Sequence, residues 1–176
     1  MFKLFRFAIV LLFISCSQPV QKPKVNPFKG MTSKERKSSL ESALTRASKK
    51  EQSQINGYLK RHQIPAIQTK TGIHYCIYQK GDGVRIQDGE NVTVEYVVTK
   101  INGDTLYSTQ KQLDEFIVSN SEKESGLHEA IKLLKPGSKA IIILPSHRAH
   151  GISGDSDKIP PLTTVIYNLQ VKSNLN

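Results

Sequence analysis

Hydrophobic and polar residues change their spacing twice along the chain. An unbroken apolar run fills residues 7–14. Over residues 32–62, Leu40, Ala43, Leu44 and Ala47, then Ile55, Tyr58, Leu59 and His62, recur at three- and four-residue steps with Lys and Arg opposite. That spacing predicts one apolar stripe along a helix. Thr32 and Glu35 stand at capping-box spacing, where a hydroxyl and a carboxylate each satisfy an orphan backbone donor. The stripe thins over residues 49–53 and Gly57 weakens the helix locally, so the pattern allows a break there. Ile64-Pro65 ends it.

From Thr71 the period drops to two. GIHYCIYQ alternates as a strand, GDG (81–83) is a turn, and NVTVEYVVTKI (91–101) is a β-branched strand. NGD (102–104) signals a hairpin into TLYST, and DEFIV (114–118) is a further short strand. GLHEAIKLLKPG (126–137) reads as one short helix, with Leu127, Ile131 and Leu134 on one face and Pro136-Gly137 stopping it. KAIIIL and TVIYNLQV are the last strands. The layout is α+β: roughly six strands in a sheet that wraps one late helix, preceded by a helical arm. Between the last two strands lies SHRAHGISGDSDKIPP, residues 146–161. A connection of that length inside a compact domain is uncommon and is more often functional.

The N-terminus changes the picture. Lys3 and Arg6 precede the apolar run, which is far shorter than the roughly 20 residues a membrane span needs, so residues 1–15 read as a secretory signal. Ser15-Cys16 has the form of a bacterial lipoprotein cleavage box, with Cys16 as the acylated residue. The competing reading is a plain signal with a chance cysteine. Against it, Cys16 falls where the apolar run ends and the polar, proline-containing tether of residues 16–31 begins. Residues 32–66 then form a basic helical arm and residues 67–176 the folded domain. With Cys16 acylated, Cys76 is left without an intrachain partner, and its alternating context, IHYCIY, suggests a small buried hydrophobe.

Charge is distributed just as unevenly. The net charge is +10, but residues 17–70 carry 12 Lys/Arg against 3 acids, while residues 71–176 carry 11 against 12. The basic excess belongs to the arm and tether. For an exported, tethered chain, anionic headgroups are a better partner than nucleic acid, and a solvated basic face with no partner is equally consistent.

The familiar catalytic sets are missing: no nucleophile elbow, no phosphate-binding glycine loop and no paired CxxC. His147 and His150, with Asp155 and Asp157 nearby, lack helical support and a clear third ligand, so neither a metal nor another cofactor is expected. Aromatic and aliphatic residues at strand ends remain, together with the long loop.

The series NVTVEYVV, NGDTLYST, SGLHEAIKLLKPGSKAIIILPSHRAHGISGDSDKIPPLTTVIYNLQV resembles the FKBP-type peptidyl-prolyl isomerases over about residues 71–173. The carriers are the strand tyrosine, the GxxLYS hairpin, the helix ending in Pro-Gly, and Pro-Ser-x-x-Ala-x-Gly followed by Ile-Pro-Pro. The lipoprotein-like leader and the phrases SGLHEA and SHRAHGISGD look like the gliding-motility-associated FKBP lipoproteins of Bacteroidetes. The resemblance implies an antiparallel sheet wrapped around one short helix and an apolar pocket that admits a proline side chain under the long loop. It implies proline-containing polypeptides as clients, and a place in the cell envelope, on the periplasmic face of the outer membrane. By position it assigns Tyr96 and His150 to catalysis. To the substrate pocket it assigns Leu106, Tyr107, Phe116, Leu127 as the floor, Ile159 and Tyr167; for Phe116 and Tyr167 ordinary core packing is an equal alternative.

Several residues depart from the family pattern. Tyr107 stands where the family has a carboxylate, Leu127 where it has an indole, His150 where it has a tyrosine, and Glu124-Ser125 where it has an apolar pair. The departures imply a wider, more polar pocket, and leave a catalytically weak chaperone or binding module as the alternative to an isomerase.

Overall fold

The computed structural model describes residues 30–109 and 112–173. The signal at residues 1–15, Cys16 and nearly all of the tether lie outside the described residues. These divide into two units, residues 30–38 and residues 39–173. In the first, the expected capping box is formed: the Glu35 N–H donates to the Thr32 hydroxyl (3.3 Å), and the Thr32 N–H donates to Glu35 Oε2 (2.8 Å). It opens α1 (Ser33–Arg61), which runs without a break through Gly57.

The second unit is built on one antiparallel sheet. Its strands are β1 (Ile67–Gln68), β2 (His74–Gln79), β3 (Asn91–Lys100), β4 (Thr105–Ser108), β5 (Asp114–Ile117), β6 (Lys139–Leu144) and β7 (Val165–Val171). The order is β1-β2-β6-β7-β3-β4, with β5 also paired to β3. The two-residue β1 escapes a pattern reading because it is too short to show a period. α2 (Ser125–Ile131) is shorter than the segment 126–137; the chain turns at residues 132–137 before β6.

The continuous apolar run of β6 is explained by burial on both faces. Ala140, Ile142 and Leu144 join Leu127, Ala130 and Ile131 of α2 in the main core. Ile143 faces the other way, against Ile166 and Ile55 of α1, with Tyr58, Leu59, Ile101 and Ile141 around them. Packing of this C-terminal half of the stripe overrides the weak propensity at Gly57. The N-terminal half of the stripe is not covered, and Leu40 is 51% exposed. Cys76 is only half-buried: it stands opposite Ile141 of β6, beyond the two residues of β2 that pair with β1. No helix among the described residues is long and apolar enough to cross a membrane.

Candidate functional site

Strand register places the site. Val98 of β3 stands opposite Tyr107 of β4 on one side and Tyr167 of β7 on the other, and Tyr96 is two residues away on the same face. The four therefore share one face of the sheet. The segment before α2 and the long loop complete a cavity of about 310 Å³, lined also by Glu122, Lys123, Glu124, His150 and Asp155.

The loop begins in a short 3-10 turn (Ser146–Arg148), which carries His150 over the cavity. His150 and His147 have different partners: His150 Nε2 lies 2.8 Å from Glu124 Oε1, whereas His147 Nε2 lies 3.3 Å from the Thr71 carbonyl. They do not share a ligand position.

Three tyrosine–carboxylate pairs ring the cavity. Tyr96 donates to Asp114 Oδ2 (2.7 Å), which Lys123 Nζ also approaches at 2.5 Å. Tyr167 donates to Glu124 Oε1 (2.7 Å), the oxygen that also faces His150. Tyr107 donates to Asp155, and Lys158 Nζ lies 4.9 Å from the centre of its ring. The Tyr96 and Tyr167 rings meet edge to face at 5.3 Å.

These pairs hold the phenols protonated. Burial, then the Asp114 carboxylate, pushes the Tyr96 hydroxyl above its usual range, and burial and Glu124 do the same for Tyr167. The hydrogen bond to Asp155 pushes Tyr107 up to about 12. Asp155 sits at about 2: desolvation opposes its ionisation, but the Tyr107 hydroxyl and the backbone N–H groups of Asp157 and Ile159 outweigh it. Near neutral pH each phenol is a committed donor and each ring is held in place.

Of the expected site residues, Tyr96, Tyr107, His150 and Tyr167 are brought together. Leu106, Phe116, Leu127 and Ile159 sit in the main core, Leu127 with no exposed surface. Phe116 packs edge-on against His128 of α2, and Ile159 donates its backbone N–H to Asp155. Asp114 and Asp155 were not legible as site residues. Asp114 has no sequence signal of its own: its place opposite the buried Val94 is set by strand pairing. Asp155 has one, the Asp-x-Asp spacing in a glycine-bounded turn, where a side chain caps the following amides.

The family model for FKBP-type peptidyl-prolyl cis-trans isomerase matches residues 83–172. The chain is 30% identical over 103 residues to a probable FKBP-type peptidyl-prolyl cis-trans isomerase, FkpA, of Neisseria meningitidis, covering 58% of this chain and 38% of that protein. It is equally similar, 30% over 103 residues, to the outer membrane protein MIP of Legionella longbeachae, covering 58% of this chain and 44% of that one. The chain thus aligns with less than half the length of these relatives. Among solved structures, FkpA from Escherichia coli superposes with a TM-score of 0.63 at 21% identity, over 82% of this chain and 73% of that chain. A peptidyl-prolyl cis-trans isomerase from Pseudomonas syringae gives 0.63 at 23% identity, over 73% and 93%. These two likenesses establish the shared fold.

Proposed function

The chain belongs to the FKBP-type peptidyl-prolyl cis-trans isomerase family, and from that premise we propose that it accelerates rotation about X–Pro bonds of polypeptides in the cavity walled by Tyr96, Val98, Tyr107, His150 and Tyr167. The observation that carries this reading is the convergence of three strand tyrosines, each fixed by a carboxylate, beneath a long loop.

Uncatalysed rotation is slow because the planar amide has partial double-bond character, with a barrier of about 20 kcal/mol. The twisted amide loses that resonance and is less charge-separated. A wall of ring faces and Val98 favours the twisted form over the planar one, and rings held by hydrogen bonds need no reordering when the proline enters. No acid, base or nucleophile is needed, and about 1.4 kcal/mol of differential binding suffices for each factor of ten.

The test is a cis/trans exchange assay of the full chain, purified in detergent, with short X–Pro peptides whose uncatalysed exchange takes tens of seconds. The wild-type chain should accelerate exchange, and Tyr96→Leu should cut the acceleration at least about tenfold with unchanged near-UV circular dichroism. A folded wild-type chain that accelerates no peptide, whatever residue precedes proline, would overturn the isomerase. The second reading, a binding module, is favoured by the carboxylates of Glu122, Glu124 and Asp155 on the lining. It expects peptide binding with no acceleration.

The setting we propose is the cell envelope: a lipid anchor at Cys16, on the periplasmic face of the outer membrane, with exported polypeptides as clients. The leader pattern and the likeness to an outer membrane protein support it. The phrases SGLHEA and SHRAHGISGD support clients that include gliding-motility components. Cells fed labelled palmitate should yield labelled chain; an unlabelled product would rule out the anchor.

A further inference from the structure

The long loop is held at both ends by a residue outside the family match. Glu51 of α1 accepts three hydrogen bonds on its two carboxylate oxygens. Oε1 takes the backbone N–H of Ser146 (2.7 Å) and the Thr164 hydroxyl (2.6 Å), and Oε2 takes the Ser146 hydroxyl (3.0 Å). Ser146 opens the loop and Thr164 closes it, immediately before β7. Both donors are buried, at 5% and 6% exposure, so each needs a partner inside the protein. The contacts join positions 95 and 113 residues apart.

From that anchor the loop is closed on itself. The Gly151 N–H donates to the Ser146 carbonyl (2.8 Å), and the Leu162 N–H donates to the Gly151 carbonyl (2.9 Å). His150 lies between Ser146 and Gly151, so a shift at Ser146 is passed through a few rigid bonds to the imidazole over the cavity. Elsewhere α1 and the loop are separated by a larger cavity of about 470 Å³, lined by Leu44, Ile152 and Leu162 among others. Leu44, Ile152 and Leu162 are exposed there, and the Glu51 carboxylate reaches across to the loop.

We propose that Glu51 is a positioning residue for the isomerase site: by gripping both ends of the long loop, α1 sets the height of His150 over the substrate, and the helical arm is part of the enzyme rather than a spacer. This rests on the isomerase reading for its kinetic consequence but not for its structural one. Three full-length variants in detergent test it. Glu51→Ala removes all three acceptor contacts. Glu51→Gln, with its oxygen in the Oε1 place, keeps the Ser146 N–H and Thr164 hydroxyl as donors, and the Ser146 hydroxyl can turn to accept from its amide. Lys49→Ala alters the same helix at an exposed position.

Expected for Glu51→Ala is faster amide hydrogen exchange in residues 146–164, with α1 itself protected as in wild type. Its kcat/KM should fall about tenfold, mostly through KM, because a loosened loop weakens substrate binding before it alters the twisted state. Glu51→Gln should recover most of that loss and Lys49→Ala should match wild type. Unchanged exchange in the loop would overturn the proposal whatever the activity. So would faster exchange with unchanged kcat/KM, or a fall that Glu51→Gln does not relieve. If the wild-type chain is inactive, the isomerase reading fails separately. X–Pro peptide affinity then replaces kcat/KM, and Glu51→Ala must still weaken it about tenfold.

Discussion

Tyr167→Ala is expected to destabilise the domain by about 3–5 kcal/mol and to abolish prolyl isomerisation. Tyr167 is 4% exposed and lies on the inner central strand β7, opposite Ile142 of β6 and Val98 of β3. Truncation removes the ring that meets Tyr96 and opens a void between three strands that cannot collapse while their ladders hold. It also takes the hydroxyl from Glu124, whose side chain is 9% exposed and among the described residues would keep His150 as its one side-chain partner. A buried carboxylate that loses a donor adds its own cost. Tyr167→Phe separates the two effects: it keeps the packing, loses about 1–2 kcal/mol, and retains measurable activity. Urea unfolding and the exchange assay on both variants check this. A Tyr167→Ala chain within about 1 kcal/mol of wild type would contradict the packing described.

The second large effect falls on the loop rather than the core. Gly154 has φ +71°, and a Cβ placed on it would lie 2.2 Å from the Ile159 carbonyl oxygen. That oxygen is backbone and already accepts the Asp155 N–H at 3.1 Å, so no side chain can yield to make room. Gly154→Ala must therefore rebuild the turn that carries Asp155. The Tyr107–Asp155 bond and the two amides that Asp155 caps would be lost with it. We expect kcat/KM to drop at least about tenfold, and global stability to fall by about 1–3 kcal/mol, since the sheet is untouched. The same assay and a urea titration decide it. Kinetics equal to wild type would show that the tip of the loop does not bear on the site.

These outcomes depend on residues of unequal legibility. Tyr96, His150 and Tyr167 could be placed by position along a resembling pattern, because each stands at a fixed offset from a strand, a glycine or a proline. Tyr107 could be placed too, but the role of its hydroxyl could not: its partner Asp155 is 48 residues away, beyond the reach of any local spacing. Asp114 is 18 residues from Tyr96, on a short strand of its own, so no local spacing joins the two. Leu127, placed as a pocket floor by position alone, has its surface wholly covered by packing. Position along the chain says which element a residue occupies but not how deep that element lies.

What the sequence by itself determined is local: the capped helix, strand alternation and turn glycines, whereas α2 ends at Ile131, ahead of the Pro136-Gly137 stop that its pattern suggests. Each of those three follows from backbone geometry or from side chains within a turn of one another. The tertiary structure alone decided which half of the α1 stripe is covered, which carboxylate pairs with which tyrosine, and that Glu51 holds both ends of the loop. Those depend on elements meeting across 18 to 113 residues of chain. Such meetings are selected by the packing of the whole sheet between α1 and α2, where burial makes every unpaired donor costly and so decides which partners must meet.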